Sequence, residues 1–274
     1  TPPKGARPGE VGVLVDSTSD NVDITATMID LAVRGHLRID QTGKKDWTFV
    51  ELQGRDKVNG YEAHLLRTLF QSGTEVTTDD LKNRSYSSLM EGTRERLYQR
   101  VTKELQWFTR DPSQVRGLAV LGGIGLIGLA AVICGIAILA LNNKFGARTA
   151  TGSAVLAQAK GFELYLTTAE ADQIKFEEGI DVFSRYLPYA IVFGVAERWA
   201  KIFEQLAAQG RYVADNSWYV GYGYTTMLNS GFTSSLDRLA DTMSSSMQSA
   251  TAASSGGSGF SGGGGFGGGG GGGW

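Results

Sequence analysis

The chain has 274 residues, a formal net charge of −2 and a 42% hydrophobic fraction, with 20% charged side chains. This balance offers no basic excess for holding a polyanion, and the single cysteine, Cys134, excludes an intrachain disulfide and a thiolate metal site. Length and composition together predict a mixed protein with at least two small soluble parts.

The first ten residues contain prolines at positions 2, 3 and 8 and predict an extended linker. The chain begins with Thr1 rather than Met, and no signal-like apolar segment opens it. We therefore expect it to be the C-terminal part of a longer protein.

Residues 11–110 are predicted to form a winged-helix-like α+β domain of one or two small units. Apolar side chains recur at helical spacing behind Asp23, the expected N-cap, and Gly35 marks the end of this helix. Alternating residues then predict a β-hairpin with strands at 37–39 and 47–52. Further helices are expected near Tyr61, around Leu81 and along 86–107.

From residue 118 to residue 141 the chain carries 24 consecutive residues without a charged side chain. As a helix this run would be about 36 Å long, enough to cross a hydrocarbon core of about 30 Å. We therefore predict a transmembrane segment at 117–143. The competing interpretation is a core helix of a soluble domain, which usually shows one polar face.

Gly123, Gly125 and Gly128 in this run match the dinucleotide-binding pattern G-x-G-x-x-G. That pattern requires a preceding strand-to-helix turn and an acidic residue about twenty positions later. Residues 142–152 contain neither Asp nor Glu. The glycines are therefore interpreted as close-packing positions of a membrane helix, and no cofactor is predicted.

After the apolar run, residues 148–212 are predicted to form a small α-helical domain, followed by an irregular segment or short helix at 213–243. Residues 244–274 contain mostly Ser, Ala, Thr and Gly, which predicts a disordered glycine-rich tail. Phe260, Phe266 and Trp274 could attach this tail to a membrane or a partner. An inert, solvated tail is the alternative that we favour.

Catalytic constellations are missing from the sequence. His36 and His64 have no partner at ligand spacing, and we expect both to be structural residues. The carboxylates downstream of the apolar run are interpreted as a solvated face: Glu170, Asp172, Glu177, Glu178 and Asp181. No catalytic, cofactor-binding or metal-ligating residues are predicted, and the chain is not expected to be an enzyme.

Winged helices commonly bind DNA, so that function was weighed against the charge pattern. Residues 1–116 contain 17 Lys or Arg and 17 Asp or Glu, whereas a DNA-binding domain normally concentrates positive charge on one face. A paired, solvated helix face explains the basic residues equally well. The candidate DNA contacts are Arg34, Arg38, Lys44, Lys45, Arg94, Arg96 and Arg100.

Several motifs carry a family resemblance, among them D-I-T-A-T-M-I-D-L-A-V-R-G at 23–35, T-A-T-G at 149–152 and R-Y-L-P-Y-A at 185–190. Together with Trp199 and the closing glycines, they resemble the C-terminal region of YciQ-like predicted bacterial membrane proteins. The resemblance implies an N-terminal part with a signal peptide, an extracytoplasmic β-domain and a first membrane helix. It also implies that the region seen here is largely cytoplasmic, and it implies no activity.

Relatives of this kind carry an apolar region long enough for two spans, whereas residues 117–143 are too few for the roughly 40 that two spans need. Either the run crosses once, which places residues 142–274 opposite residues 1–116, or it forms a re-entrant hairpin. We expect a non-enzymatic scaffold or signal relay of the bacterial inner membrane, with soluble domains mostly cytoplasmic. The alternative is a membrane-tethered winged-helix transcriptional regulator.

The expected partners follow from that hypothesis. They are the lipid bilayer and other membrane or envelope proteins, while nucleic acid is the less favoured partner and homo-oligomerisation is left open.

Overall fold

The computed structural model describes residues 1–54, 56–83, 86, 88–109, 148–170, 174, 181–213, 215, 217–221 and 232–252. Within these ranges the fold is α+β, with eight α-helices and a four-stranded sheet. The helices are α1 (Pro8–Asp16), α2 (Asn21–Val33), α3 (Gly60–Leu69), α4 (Ser88–Gln99), α5 (Ala150–Thr168), α6 (Val182–Val192), α7 (Ala196–Ala208) and α8 (Phe232–Ala252). The strands are β1 (Leu37–Gln41), β2 (Trp47–Glu51), β3 (Glu75–Thr77) and β4 (Tyr219–Val220). A 3₁₀ turn covers Asp80–Lys82, and a π-helical turn, Arg100–Glu104, extends α4.

The predicted β-hairpin is confirmed and forms the centre of the sheet. β1 pairs antiparallel with β2, with Ile39 opposite Phe49, and the strand order is β3-β2-β1-β4. β4 lies parallel to β1, with Tyr219 opposite Ile39. The sequence did not predict this last strand, which ties the C-terminal part of the chain to the N-terminal hairpin.

Residues 8–10 belong to helix α1 rather than to the predicted linker. Pro8 occupies the first helical turn, where its missing N–H costs nothing, and Glu10 accepts a hydrogen bond from the Arg7 N–H. Val11, Val13 and Leu14 are completely buried. A helix buried on several sides shows no polar face, so the amphipathic pattern that reveals surface helices is missing here.

Helix α2 confirms the predicted helix, with a different N-cap. Asp20 accepts hydrogen bonds from the N–H groups of Val22 and Asp23, and Asp23 closes the capping box from the third helical position. Gly35 follows the helix with φ +78°, a left-handed conformation that glycine adopts without strain. Every residue of α2 from position 23 to position 32 is buried, so this helix lies inside the fold.

Helices α5 and α6 pack against the N-terminal helices, and α7 packs on α6. The Tyr189 hydroxyl on α6 donates to the Ala6 carbonyl at 2.7 Å, and the rings of Phe162 and Tyr189 meet edge to face. Buried side chains from both parts join one continuous hydrophobic cluster. The two flanks of the apolar run therefore belong to one packed unit.

The C-terminal part differs from the sequence prediction, because helix α8 extends through residue 252. Phe232, Leu236, Leu239 and Met243 recur at helical spacing and are almost completely buried, which gives the segment an anchoring stripe. The predicted disordered tail therefore begins as a helix.

The predicted transmembrane segment at 117–143 and the tail beyond residue 252 lie outside the described residues. No helix within the described part is long and apolar enough to cross a membrane.

Candidate functional site

The two flanks of the apolar run meet at the C-terminal end of α1. Phe108 and Arg148 form an antiparallel bridge, and the Thr149 N–H donates to the Trp107 carbonyl at 2.9 Å. The Thr149 hydroxyl donates to the Gln106 carbonyl at 2.7 Å. Backbone and side-chain hydrogen bonds therefore hold residues 106–108 beside residues 148–149.

Arg148 fastens this junction to α1. Its Nε donates to the Leu14 carbonyl at 2.9 Å, and one terminal nitrogen donates to the Val15 carbonyl at 3.0 Å and the Ser17 hydroxyl at 3.3 Å. The guanidinium also lies 5.8 Å from the centroid of the Phe108 ring. These carbonyls lie at the negative end of the helix dipole, so a cation is stabilised there. Burial lowers the pKa of Arg148, which nonetheless stays charged at neutral pH.

Gly152, in the first turn of α5, lets the two flanks approach this closely. A Cβ at this position would lie 2.1 Å from the Trp107 carbonyl oxygen, which is far inside van der Waals contact. The side chains of Trp107 and Phe108 are buried beneath this contact. We call Arg148, Thr149, Gly152 and residues 106–108 the flank clamp.

A cluster of charged side chains occupies the opposite, N-terminal end of α1. Glu10 and Glu62 are completely buried there. Glu62 accepts from the Asn59 N–H at 2.8 Å, which caps α3 as Glu10 caps α1. The Asn59 amide also donates to Glu10 at 3.2 Å. The two helix N-termini are therefore joined through their own capping residues.

Arginines neutralise these carboxylates. Arg34 bonds Glu62 at 2.7 Å, Asp30 at 2.8 Å and Asp56 at 2.8 Å. Arg100 bonds Glu10 at 2.9 Å. Buried carboxylates require such partners, because an unpaired charge in this environment would be very costly.

Two further residues complete the cluster. Arg7 lies 3.1 Å from Asp56 and 3.6 Å from Glu62, and His36 Nε2 lies 2.7 Å from Asp56. We refer to these residues together as the ion cluster: Arg7, Glu10, Asp30, Arg34, His36, Asp56, Asn59, Glu62 and Arg100.

Burial and pairing shift the carboxyl pKa values of the ion cluster in opposite directions. Burial raises the pKa of Asp30 to about 6 despite the nearby Arg34, and it raises the pKa of Glu10. Asp56 lies closer to the surface. Burial also works to raise its pKa, but hydrogen bonds from Arg34 and His36 outweigh it and lower the pKa to about 2.

A polar cleft of about 770 Å³ opens beside the ion cluster. Its walls come from the segment before α1, the loop before α3, and helices α2 and α6. Six cationic side chains line it: Lys4, Arg7, Arg34, Lys57, Arg100 and Arg185. Among the described lining residues, Asp30 is the one carboxylate, and it is paired with Arg34.

The predicted DNA contacts are dispersed and mostly engaged within the fold. Arg34 and Arg100 belong to the ion cluster, and Arg38 binds Asp40 through two hydrogen bonds of 2.7 and 2.8 Å. Lys44 and Lys45 are exposed in the hairpin turn. The α4 arginines bond locally, Arg94 to Asn21 and Glu91, and Arg96 to the Gly92 carbonyl.

The other predicted candidates are structural where the structure describes them. His36 belongs to the ion cluster, while His64 is buried against Gly92, and burial together with Arg96 lowers its pKa. Asp181 caps α6 by accepting from the Ser184 N–H at 3.2 Å, and the Tyr212 hydroxyl donates to it at 2.6 Å. Glu170 is exposed, and Asp172, Glu177 and Glu178 lie outside the described residues.

Among the described residues, no group of three or more His, Cys, Asp or Glu side chains could hold a metal ion.

Sequence patterns alone did not single out the carboxylates of the ion cluster. The pair Asn59 and Glu62 carries a local signature, since a capping residue followed three positions later by Glu is the capping-box pattern. The other partners come from distant parts of the chain. Arg100 and Glu10, for example, are 90 positions apart.

Comparison with known proteins agrees with the resemblance drawn from the motifs. The model of the family described as predicted membrane protein (DUF2207) C-terminal domain matches residues 1–203. No curated protein and no solved structure shows a significant match. The family description gives membrane association and no molecular activity. The chain therefore belongs to the DUF2207 family of predicted membrane proteins and carries its C-terminal domain.

Proposed function

We propose that this chain is a non-enzymatic scaffold or signal relay that is attached to one face of the bacterial inner membrane. The observation that carries the proposal is the flank clamp, which joins the two ends of the apolar run. Its winged-helix-like N-terminal part and the helices α5–α7 would then lie together on the cytoplasmic face, where they would contact envelope proteins of the same membrane.

The length of the chain supports attachment from one face. A single crossing that ended at Leu141 would leave seven residues to return to Arg148, and these can extend at most about 24 Å. That reach is shorter than a hydrocarbon core of about 30 Å, and the segment includes Asn142, Asn143 and Lys144, which are costly in lipid. A run that enters and leaves through the same face is compatible with the flank clamp.

The use of the buried charges supports a structural role over an enzymatic one. The carboxylates of Glu10, Glu62 and Asp181 cap helices and accept from arginines or tyrosine. DNA binding has less support, because α2 is buried and Arg34 is bound by three carboxylates.

Thiol labelling of the full-length protein in cells tests the membrane topology. In a Cys134→Ser background, single cysteines replace Glu91 and Lys160, whose side chains are 81% and 52% exposed on either side of the apolar run. We expect a membrane-impermeant maleimide to label neither position in intact spheroplasts and both after permeabilisation.

The other labelling patterns separate the parts of the proposal. Labelling of one position before permeabilisation and of the other only afterwards would contradict attachment from one face. Labelling of both positions in intact spheroplasts would be compatible with attachment from one face but would contradict the cytoplasmic orientation.

The scaffold role has a test of its own. Photo-crosslinking from an exposed position such as Glu91 should give the same envelope-protein adduct in repeated experiments. That adduct should disappear when the Arg148→Met variant releases the flanks from α1. A turnover activity of the purified protein that is lost on changing one cleft residue would instead make the chain an enzyme.

A further inference from the structure

We propose that the cleft beside the ion cluster binds a multiply charged anion of the phosphate class. The inference stands on the N-terminal end of α1 and is independent of the membrane attachment, which rests on the opposite end. It assigns a ligand to the cleft, whose wall is formed partly by residues of the ion cluster.

The charge balance of the cleft carries the inference. Arg7, Arg34 and Arg100 are already neutralised by carboxylates of the ion cluster. Lys4, Lys57 and Arg185 also line the cleft, and none of the three is within ion-pair distance of a described carboxylate. The cleft therefore presents three exposed cations that make no ion pair with a described carboxylate.

Three separate parts of the chain bring these cations to one opening. Lys4 precedes α1, Lys57 lies in the loop before α3, and Arg185 lies on α6. Like charges at one opening repel one another, and a bound anion would relieve that repulsion. A phosphate group accepts several charge-assisted hydrogen bonds at once. A single carboxylate accepts fewer, so it would suit three converging cations less well.

The dimensions of the cleft fit a small ligand. A volume of about 770 Å³ lies within the roughly 300–1,000 Å³ range of small-molecule sites. Val33, Val58 and Tyr189 add apolar surface beside the cations, so a ligand with an organic part as well as a phosphate could be accommodated.

The cleft also lies apart from the flank clamp. The nine residues of α1 separate the two by about 13 Å along the helix axis. A soluble ligand and a lipid headgroup share the phosphate chemistry, and the experiment is designed to distinguish them.

Isothermal titration calorimetry of the full chain in neutral detergent, with inorganic pyrophosphate as the probe, tests the cleft directly. We expect saturable binding that weakens by roughly tenfold or more in the triple variant Lys4→Gln, Lys57→Gln, Arg185→Gln, because each lost contact is a charge-assisted hydrogen bond. The matched control is Lys82→Gln, Lys160→Gln, Lys201→Gln, which removes the same charge from exposed cations with local partners. The control should bind like the wild type.

A second arm separates the sources of the phosphate. The same proteins are placed in nanodiscs of phosphatidylcholine alone or mixed with phosphatidylglycerol, and pyrophosphate binding is measured again. The cleft is assigned to lipid headgroups if two results are found together. Pyrophosphate must bind the wild type more weakly in the phosphatidylglycerol discs, and a soluble phosphate ester must not weaken that binding in the phosphatidylcholine discs. Equal binding in both discs assigns it to a soluble ligand.

Two results would overturn the proposal. One is the absence of saturable pyrophosphate binding to the wild type. The other is equal weakening in the triple variant and its control, because the effect would then be one of net charge. Circular dichroism of each variant checks that the fold is retained, and either single variant Lys57→Gln or Arg185→Gln replaces the triple one if it unfolds.

Discussion

The two ends of helix α1 are held by different chemistry. At the N-terminal end, the buried carboxylates of Glu10 and Glu62 are neutralised by arginine side chains. At the C-terminal end, a single arginine, Arg148, donates to the backbone carbonyls of Leu14 and Val15. One end therefore depends on a balance of side-chain charges, and the other depends on how closely two backbone segments approach.

This difference predicts different sensitivities. Removing one charge from the ion cluster unbalances charges that are largely shielded from water, so the N-terminal end should respond to charge and pH. The flank clamp holds its one cation, Arg148, with carbonyl and hydroxyl oxygens that do not titrate, so it should respond to steric change more than to pH. Substitutions that alter one property at a time can therefore break each end separately.

The largest effect is expected from Glu62→Gln. This change keeps the shape of the side chain but removes the negative charge that Arg34 and Arg7 face in a fully buried position. Taking this fully buried partner from the half-buried Arg34 and Arg7 should lower the free energy of unfolding by about 3 kcal/mol. Urea unfolding in detergent, followed by tryptophan fluorescence, measures the loss.

The control for this prediction is Glu104→Gln. Glu104 also pairs with an arginine, Arg100, at 2.6 Å, but its side chain is 54% exposed. Exposed pairs contribute little, so this variant should unfold almost like the wild type. Equal losses in the two variants would show that burial of the ion cluster is unimportant for its stability.

A smaller effect is expected at the other end from Gly152→Ala. The added Cβ would meet the Trp107 carbonyl oxygen at 2.1 Å, and backbone on both flanks would have to move. Overpacking of this kind should lower the free energy of unfolding by about 2 kcal/mol. Exchange of the Thr149 amide hydrogen, which is bonded to Trp107, should accelerate in parallel.

Gly161→Ala is the matched substitution in the same helix. A Cβ at Gly161 meets no atom within 4 Å, so alanine should raise the free energy of unfolding by about 0.5–1 kcal/mol through its better helix propensity. If Gly152→Ala also stabilised the protein, the close approach of the flanks would be wrong.

Most elements that sequence patterns predicted have a buried and a more exposed face. Helix α2 is the exception, because it is buried from residue 23 to residue 32 and was still predicted from its helical spacing and from Gly35. Strand β1 alternates between buried and half-buried residues, and α3 shows an apolar stripe, so both are visible as periodicity. Helix α1 is buried nearly throughout, and its one proline and two glycines resemble a linker in composition. Helix α8 was predicted only as one alternative, a short helix before residue 244, because its sparse anchors are separated by serines and threonines.

The candidate sites depend on contacts that no local pattern encodes. Arg148 and Leu14 are 134 positions apart, and Arg34 and Glu62 are 28 positions apart. A sequence shows which residues carry charge, but the pairing of these residues follows from the packing of α1 against α2, α4 and α6. Charge neutrality of the N-terminal part was visible in the composition, whereas the concentration of unpaired cations in one cleft required the fold.

The smallest effect, and the sharpest test of the N-terminal end, concerns the pH dependence of stability through Asp30. Its pKa is about 6 in the folded protein and about 3.9 in an unfolded chain, so the folded state binds more protons between these values. Stability from this group therefore increases as pH falls from 7 to 5, by about 1 kcal/mol. Asp56, with a pKa of about 2, opposes this trend only below about pH 4.

The measurement compares urea unfolding of the wild type and Asp30→Asn at pH 5, 6 and 7. Asparagine keeps an oxygen that can accept from Arg34 but cannot titrate, so the variant should lack about 1 kcal/mol of the wild-type gain on acidification. Asp40→Asn, which removes a carboxylate paired with Arg38 away from the ion cluster, should keep the full gain. Because Glu10 and the other cluster residues are the same in both proteins, the difference isolates Asp30. Identical pH profiles for wild type and Asp30→Asn would mean that the buried end of α1 tolerates the Asp30 charge as well as water does.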